Sequence, residues 1–322
     1  MLLVSLFTFV ELNCENLFDC RHDSLKNDTE FLPDGYYRWT PKRYWDKLEK
    51  IGKTVISCGD MHNSATGTHD AAWQLPDMVA LCEVENDSVM RDLTRRSLLR
   101  GSRYEYVVTS SPDERGIDVA LMYSPFTFAL INHRSVRVKP VEGMRPTRDV
   151  LYASGRIASG DTLHVVAVHL PSRRGGESRS RPFRMAAASV VCSVVDSIFA
   201  LHPDANIIVA GDFNDYTSSE SVSMVCARGL KDVSCGAVGS HGAKGTYRYQ
   251  GEWGSLDHIL VSGGIERRLV SCVVHDADFL ITEDTKYGGV KPFRSFLGPR
   301  YIGGYSDHLP LVMRYACGNH VK

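Results

Sequence analysis

Several absences narrow what this chain of 322 residues can be. It has no CxxC pair and no Cys/His spacing of a zinc module, although it carries nine cysteines. That number is odd, and Cys82, Cys192 and Cys272 sit inside apolar runs, which argues for reduced, core-filling thiols and against a disulfide framework. There is no surplus of either charge. A formal net charge of −1 supplies no global field to draw the chain onto nucleic acid or an anionic membrane, so only a locally basic site can do so. No apolar run reaches the ~20 residues of a membrane span. Leu2 to Val10 has the length of a signal core but lacks a basic n-region and leads straight into Glu11-Leu12-Asn13, so an internal strand is preferred. A cytoplasmic protein is expected, with export open if the true start lies upstream. Repeats, low-complexity tracts and linkers are also missing, so one domain over residues 1–322 is expected.

What is present is 43% apolar and 23% charged, the balance of a globular protein with a sizeable core. Strand-like runs are expected at Leu3–Leu12, Asp77–Leu81, Tyr104–Thr109, Ile117–Tyr123, Leu163–His169, Asn206–Ala210, His258–Val261 and Leu309–Tyr315. Most are continuous apolar runs, so their sheets should be covered on both faces. Thr40-Pro41 predicts a helix start, with Tyr44, Leu48, Ile51 and Val55 on one face. Asn86 or Asp87 should cap a second helix through about Leu99, and Phe183 to Leu201 reads as a third. Strands and helices interleave, while the spacing from Tyr104 to Arg137 suggests antiparallel neighbours. The fold class is therefore a mixed-sheet α/β layer structure.

Chemistry-bearing residues gather where these runs end. One run leads to Glu83, another to His169, and Asn206–Gly211 leads to Asp212 and Asn214. Asp257-His258 and Asp307-His308 stand before two further runs, and the first strand delivers Asn13 with Glu15 and Asn16 behind it. Side chains alternate along a strand, so Asp212 and Asn214 should point to one side. A lone Glu or His at a strand end is usually surface or structural, but six strand termini of this kind are not explained that way. Carboxylate and amide oxygens without thiolate suit a hard cation, magnesium or manganese, and not zinc.

Seven segments carry a resemblance. They are Asn13-Cys14-Glu15-Asn16-Leu17-Phe18, Leu81-Cys82-Glu83-Val84-Glu85, Arg115-Gly116-Ile117-Asp118, His169-Leu170-Pro171-Ser172-Arg173, Gly211-Asp212-Phe213-Asn214-Asp215, Ser255-Leu256-Asp257-His258 and Ser306-Asp307-His308-Leu309-Pro310. In this order, and across nearly the whole chain, they resemble the endonuclease/exonuclease/phosphatase superfamily, the DNase I-like metal-dependent phosphoesterases. The resemblance implies a four-layer sandwich of two mixed, mainly antiparallel β-sheets flanked by helices. It implies Glu83 as principal metal ligand, with Asp307 and Asn13 completing or bracing the oxygen shell. It also implies His308 oriented by Asp257, and His169 as general acid or hydrogen-bond donor on the leaving-group side. Asp212 and Asn214 would position water and phosphate, with Asp212 either a base or a second metal ligand. Glu85 competes with Glu83 on spacing, but Glu83 follows the apolar run directly. His258 reads as structural, and Glu15 and Asp118 are of second rank.

Two segments are locally basic. Residues 171–184 hold Arg173, Arg174, Arg179, Arg181 and Arg184 against Glu177 alone, and residues 286–304 hold Lys286, Lys291, Arg294 and Arg300 with no acid. Each abuts a candidate site residue, which sets an anionic-substrate reading level with that of a solvated surface. Arg115, Arg173 and Arg174 are the expected substrate contacts, and Tyr247, Tyr249 and Trp253 read by default as core or rim aromatics, with a stacking surface as the alternative. The resulting expectation is a magnesium-dependent phosphodiester hydrolase acting on nucleic acid. A sphingomyelinase-like or inositol-phosphate phosphoesterase is the alternative. A non-catalytic binding module is disfavoured because no motif position is lost.

Overall fold

The computed structural model describes residues 5–60 and 73–317. In chain order its principal strands are Ser5–Leu17 (β1), Met78–Val84 (β2), Glu105–Val108 (β3), Asp118–Tyr123 (β4), Phe128–Val136 (β5), Val150–Ile157 (β6), Thr162–His169 (β7), Asn206–Asp212 (β8), Leu230–Asp232 (β9), Asp257–Ser262 (β10), Leu269–Val274 (β11) and Leu311–Cys317 (β12). They form two six-stranded sheets, ordered β11-β12-β1-β2-β4-β3 and β5-β6-β7-β8-β10-β9. Each sheet has a single parallel pair, β1 with β2 and β7 with β8; the other pairings are antiparallel.

Alternation along β1 shows how the layers arise. Phe7 and Phe9 point into a core shared with Leu163, Val165 and Ile208 of the other sheet. Val10 and Leu12 point outward, where Leu48, Ile51 and Val55 of the helix Pro41–Ser57 (α1) cover them. On the far side Ile207 and Val209 pack under Val191 and Val195 of the helix Glu177–Leu201 (α3), so the order is helix, sheet, sheet, helix. Each such fully buried side chain contributes ~1.5–3 kcal/mol, which explains why both faces of the strands are apolar.

The helix starts follow their local chemistry. Thr40 accepts a hydrogen bond from Arg43 N at 3.4 Å, with Pro41 in the first turn. Asn86 accepts from Val89 N at 3.0 Å at the start of Asp87–Arg95 (α2). That helix is shorter than expected, because Leu98–Gly101 tightens into a 3₁₀ turn. α3 is longer, starting six residues before Phe183 at Glu177 and running through Pro182. Among the described residues it is the one helix long and apolar enough to cross a membrane, a length that counting unbroken apolar runs missed; its apolar face lies against β7 and β8.

This topology fixes where the strand ends meet. β12 runs antiparallel to β1, and β10 antiparallel to β8, so residues that precede β10 and β12 stand beside residues that end β8 and β1. Asp257 is in register with Asp212, and Asp212 with His169. One edge of the sandwich thereby collects side chains from both sheets.

Candidate active site

The backbone at this edge departs from regular strand where the polar residues sit. Glu83 has φ 62°, in the left-handed region, and the pairing of β2 with β4 shifts register between Cys82 and Val84. That bulge turns Glu83 out of the ladder. Asn214 (φ 52°), Glu15 (φ 51°) and Asn16 (φ 57°) are in the same region, a cluster of strain of the kind associated with functional sites. Gly211 has φ 145°, and a Cβ there would lie 1.8 Å from the Val168 carbonyl oxygen, so only glycine lets β8 approach β7 just before Asp212.

Seven of the expected residues form one connected cluster. His308 Nδ1 and Asp257 Oδ2 are 2.7 Å apart, and the Thr246 hydroxyl donates to the same carboxylate oxygen. Ligand atoms of Asp212, Asp257 and His308 all lie within 4.8 Å of one another, and all three residues are buried. Asp212 is held on both oxygens, accepting from Asn13 Nδ2 at 3.1 Å and from Asn214 N at 2.7 Å. Asn214 Nδ2 in turn donates to the Leu170 carbonyl at 3.0 Å. His169 Nε2 stands between Asp212 Oδ2 (3.6 Å) and Glu83 Oε1 (4.0 Å), and the other oxygen of Glu83 accepts from Asn16 N at 2.8 Å.

Asp307 joins this cluster from the side. Its carboxylate is 2.9 Å from Arg294 Nη2, and Arg294 Nε lies 3.7 Å from Glu15. Glu15 accepts from Ser295 N at 2.6 Å and faces the buried Lys47 at 3.8 Å. The acids brought within 4.8 Å of each other at His308 are Asp212 and Asp257, while Asp307 is engaged by an arginine. Asn13 has both amide atoms in use, since Oδ1 accepts from Glu15 N at 2.9 Å.

The electrostatics follow from burial of many acids together. Desolvation and the charge of Asp257 push Asp212 up to about 7. Beneath it Glu11, fully buried on β1, is raised well above the usual carboxylate range by desolvation and by Asp257 and Asp212. Burial opposes the charged form of His308, yet Asp257 and its hydrogen bond hold the imidazole well above its ordinary value. His169 moves the opposite way, lowered by desolvation and by Arg148 and Arg115. Neighbouring thiols stay protonated, Cys14 pushed up to about 12 by burial and Cys82 raised further by burial and Glu11.

This donor set fits a hard divalent cation. Buried negative charge exceeds the local positive charge, oxygen and imidazole are available, and thiolate is not. Glu83 is the partly exposed acid of the set, with one oxygen unclaimed by a hydrogen bond. Glu85 instead accepts from Asp19 N at 2.6 Å and is pushed up to about 8 by burial and Asp19, a structural acid.

The expected substrate contacts divide. Arg115 donates to Asn16 and, with Arg174, lines cavities beside the cluster. Arg173 lies outside these, paired with Glu177 at 3.2 Å and over the Tyr216 ring at 4.8 Å. Asp118 is structural, accepting from Ser111 N at 3.0 Å, as is His258, 2.9 Å from both Asp232 and the Asp215 carbonyl. Tyr247 packs on His308 with ring centroids 4.9 Å apart, whereas Tyr249 is exposed. Thr246, Arg148 and Glu11 escape sequence reasoning. Arg148 is buried and holds the His169 and Leu170 carbonyls at 3.1 and 2.6 Å. Nothing local in the sequence marks that contact; an inward glutamate two residues before Asn13 was the readable signal for Glu11.

Three adjoining cavities form an open groove along this edge. The first is bounded by Asp307, Arg294, Asn16 and Phe31, the second by Phe31, Arg115 and Arg174, and the third by Arg115, Arg174 and Ser172.

Comparison with known proteins agrees with this arrangement. The sequence model of the Endonuclease/Exonuclease/phosphatase family matches residues 8–316. No curated protein sequence matches the chain. Among solved structures it is similar to the mannosyl-6-phosphatase Bt3783 of Bacteroides thetaiotaomicron VPI-5482, at 17% identity, covering 95% of this chain and 98% of that one, TM-score 0.60. TDP2 from C. elegans is similar at 17% identity over 97% of this chain and 75% of that one, TM-score 0.57. The human Nocturnin catalytic domain is similar at 16% identity, covering 97% and 94%, TM-score 0.55. Identities this low establish the shared DNase I-like fold and leave the substrate to the site itself.

Proposed function

Because the chain belongs to the endonuclease/exonuclease/phosphatase family, whose enzymes hydrolyse phosphoester bonds, we propose that it is a magnesium-dependent phosphodiesterase acting on nucleic acid. The observation that carries the diester reading is the groove. It runs beside the acid–imidazole cluster from Asp307 and Arg294, past Phe31, to Arg115 and Ser172. A phosphomonoester needs room for one substituent on phosphorus; a diester needs room for two.

Glu83 and Asp307 would hold the cation, with Mn²⁺ able to replace Mg²⁺, and Asn13 would brace the shell. When bound, such a cation offsets phosphoryl charge and stabilises a departing alkoxide. The chain's own groups do the rest. Asn13 and Asn214 fix both oxygens of Asp212, so that this carboxylate meets the attacking water in one orientation and takes its proton. Asp257 engages His308 through Nδ1, which leaves Nε2 to donate to a phosphoryl oxygen. His169, kept neutral by burial, donates from the leaving-group side. Burial of the cluster excludes water that would weaken these interactions.

The test is magnesium-dependent hydrolysis of DNA and RNA oligonucleotides and of an aryl phosphodiester. Glu83→Ala and His308→Ala should each abolish it. Unchanged hydrolysis in either variant would mean that the chemistry lies elsewhere.

A further inference from the structure

The third cavity, about 400 Å³, holds more positive charge than the acids around it neutralise. Of the five arginines in residues 171–184, three are tied elsewhere: Arg173 to Glu177, Arg181 to Glu220, and the buried Arg184 to Asp215 at 2.7 Å. Arg174 and Arg179 line the cavity and have no carboxylate partner among the described residues. Arg145, from the loop before β6, reaches the same cavity. The acids at its wall are already engaged, Asp113 by Arg148 at 3.2 Å and Glu114 by Arg145 at 3.4 Å.

The cavity is also fixed relative to the chemistry. Arg148 bonds the His169 and Leu170 carbonyls as well as Asp113, joining the cavity wall to the backbone of the site histidine. Ser172 at its rim is three residues from His169, a backbone reach of at most about 10 Å. Guanidinium groups without partners, set at a constant offset from a phosphoryl site, suit a second phosphate on the same molecule.

We propose that this cavity is an anion subsite in which Arg174 and Arg179 bind a second phosphate of the substrate. Chains of phosphodiesters, oligonucleotides, are then preferred over lone phosphodiesters. The inference rests on the phosphodiesterase reading above and adds where the next phosphate sits.

Dinucleotides test it: one without terminal phosphate, one phosphorylated at the 5′ end and one at the 3′ end. The intact protein should prefer one phosphorylated form by about tenfold in kcat/KM, the scale of one charge-assisted hydrogen bond. That ratio should collapse toward one in the Arg174→Gln/Arg179→Gln protein, its fold verified by near-ultraviolet circular dichroism. Calorimetric binding of the same three molecules reads the subsite without turnover. Hydrolysis with no preference for a terminal phosphate overturns the subsite and leaves the phosphodiesterase reading standing. Tighter binding of one phosphorylated form, lost in the double variant, with no dinucleotide cut, supports the subsite and counts against that reading. A preference that survives in the double variant assigns the second phosphate to other residues and refutes the proposal.

Discussion

Replacing Asp257 by Asn removes one charge from the most tightly built contact of the site. Asp257 is fully buried, accepts from His308 Nδ1 at 2.7 Å and from Thr246, and is the strongest charge holding His308 in its protonated form. An amide of equal size keeps the packing but offers no charge to the imidazole, and burial then drives His308 toward neutrality against only the charges of Asp212 and Asp307. Breaking a buried pair of this kind costs about 3–5 kcal/mol. If that energy is spent on the transition state, kcat falls by about 10²- to 10⁴-fold, at ~1.36 kcal/mol per decade. Thr246→Val is the internal comparison, since it leaves the ion pair and removes one hydrogen bond worth about 1 kcal/mol, a loss of roughly fivefold. The assay is saturating hydrolysis of an aryl phosphodiester with magnesium, with circular dichroism confirming the fold. Asp257→Asn within tenfold of the parent, or no worse than Thr246→Val, would refute the assignment of the His308–Asp257 pair to the chemistry.

Other expectations follow from single contacts. Glu83→Gln should weaken Mn²⁺ binding at least tenfold by calorimetry, because it removes a partly exposed carboxylate of the proposed metal site; equal affinity would move the ion elsewhere. The buried His258–Asp232 pair should make stability depend on pH in a defined sense. His258 is raised, burial opposing but Asp232 outweighing it, so its contribution is complete below about pH 6.5 and is lost as pH rises through the folded-state value. Asp232 is lowered, burial opposing but His258 outweighing it, so its contribution is present above about pH 3.9 and is lost as pH falls through the folded-state value. Urea midpoints should therefore peak between those limits, and Asp232→Asn should flatten the profile. Gly211→Ala should cost about 3 kcal/mol or more, read as a lowered Tm, because its Cβ meets the Val168 carbonyl.

Much of this centre was legible in the sequence, because strands that end at one edge leave a local mark: an apolar run, then an oxygen-bearing or imidazole residue. Glu83, His169 and Asp212 were visible for that reason, and His308 because it stands just before such a run. β5, β6, β9 and β11 were not named in advance. Most of β5 is exposed, β9 is three residues long, and β11 is only partly buried, so none shows a continuous apolar run. β6 is well buried, but Ser154 and Gly155 interrupt it. Long-range partners were equally silent. Thr246 reaches Asp257 from a loop, and Arg294 meets Asp307 across the tip of the second basic segment, contacts that exist only once both sheets are assembled. The first basic segment looked uniform as a string of arginines; folding divides it into residues consumed by Glu177, Glu220 and Asp215 and residues left facing the groove.

The proposal that this chain is a diesterase rests on the groove that runs beside its buried acid–imidazole cluster. The direct measurement is kcat/KM for an oligonucleotide and for a phosphomonoester of similar size, each with magnesium and with chelator. The diester should be hydrolysed at least tenfold more efficiently, and only with the metal. A higher value for the monoester, or diester hydrolysis undiminished by chelator, would contradict the account.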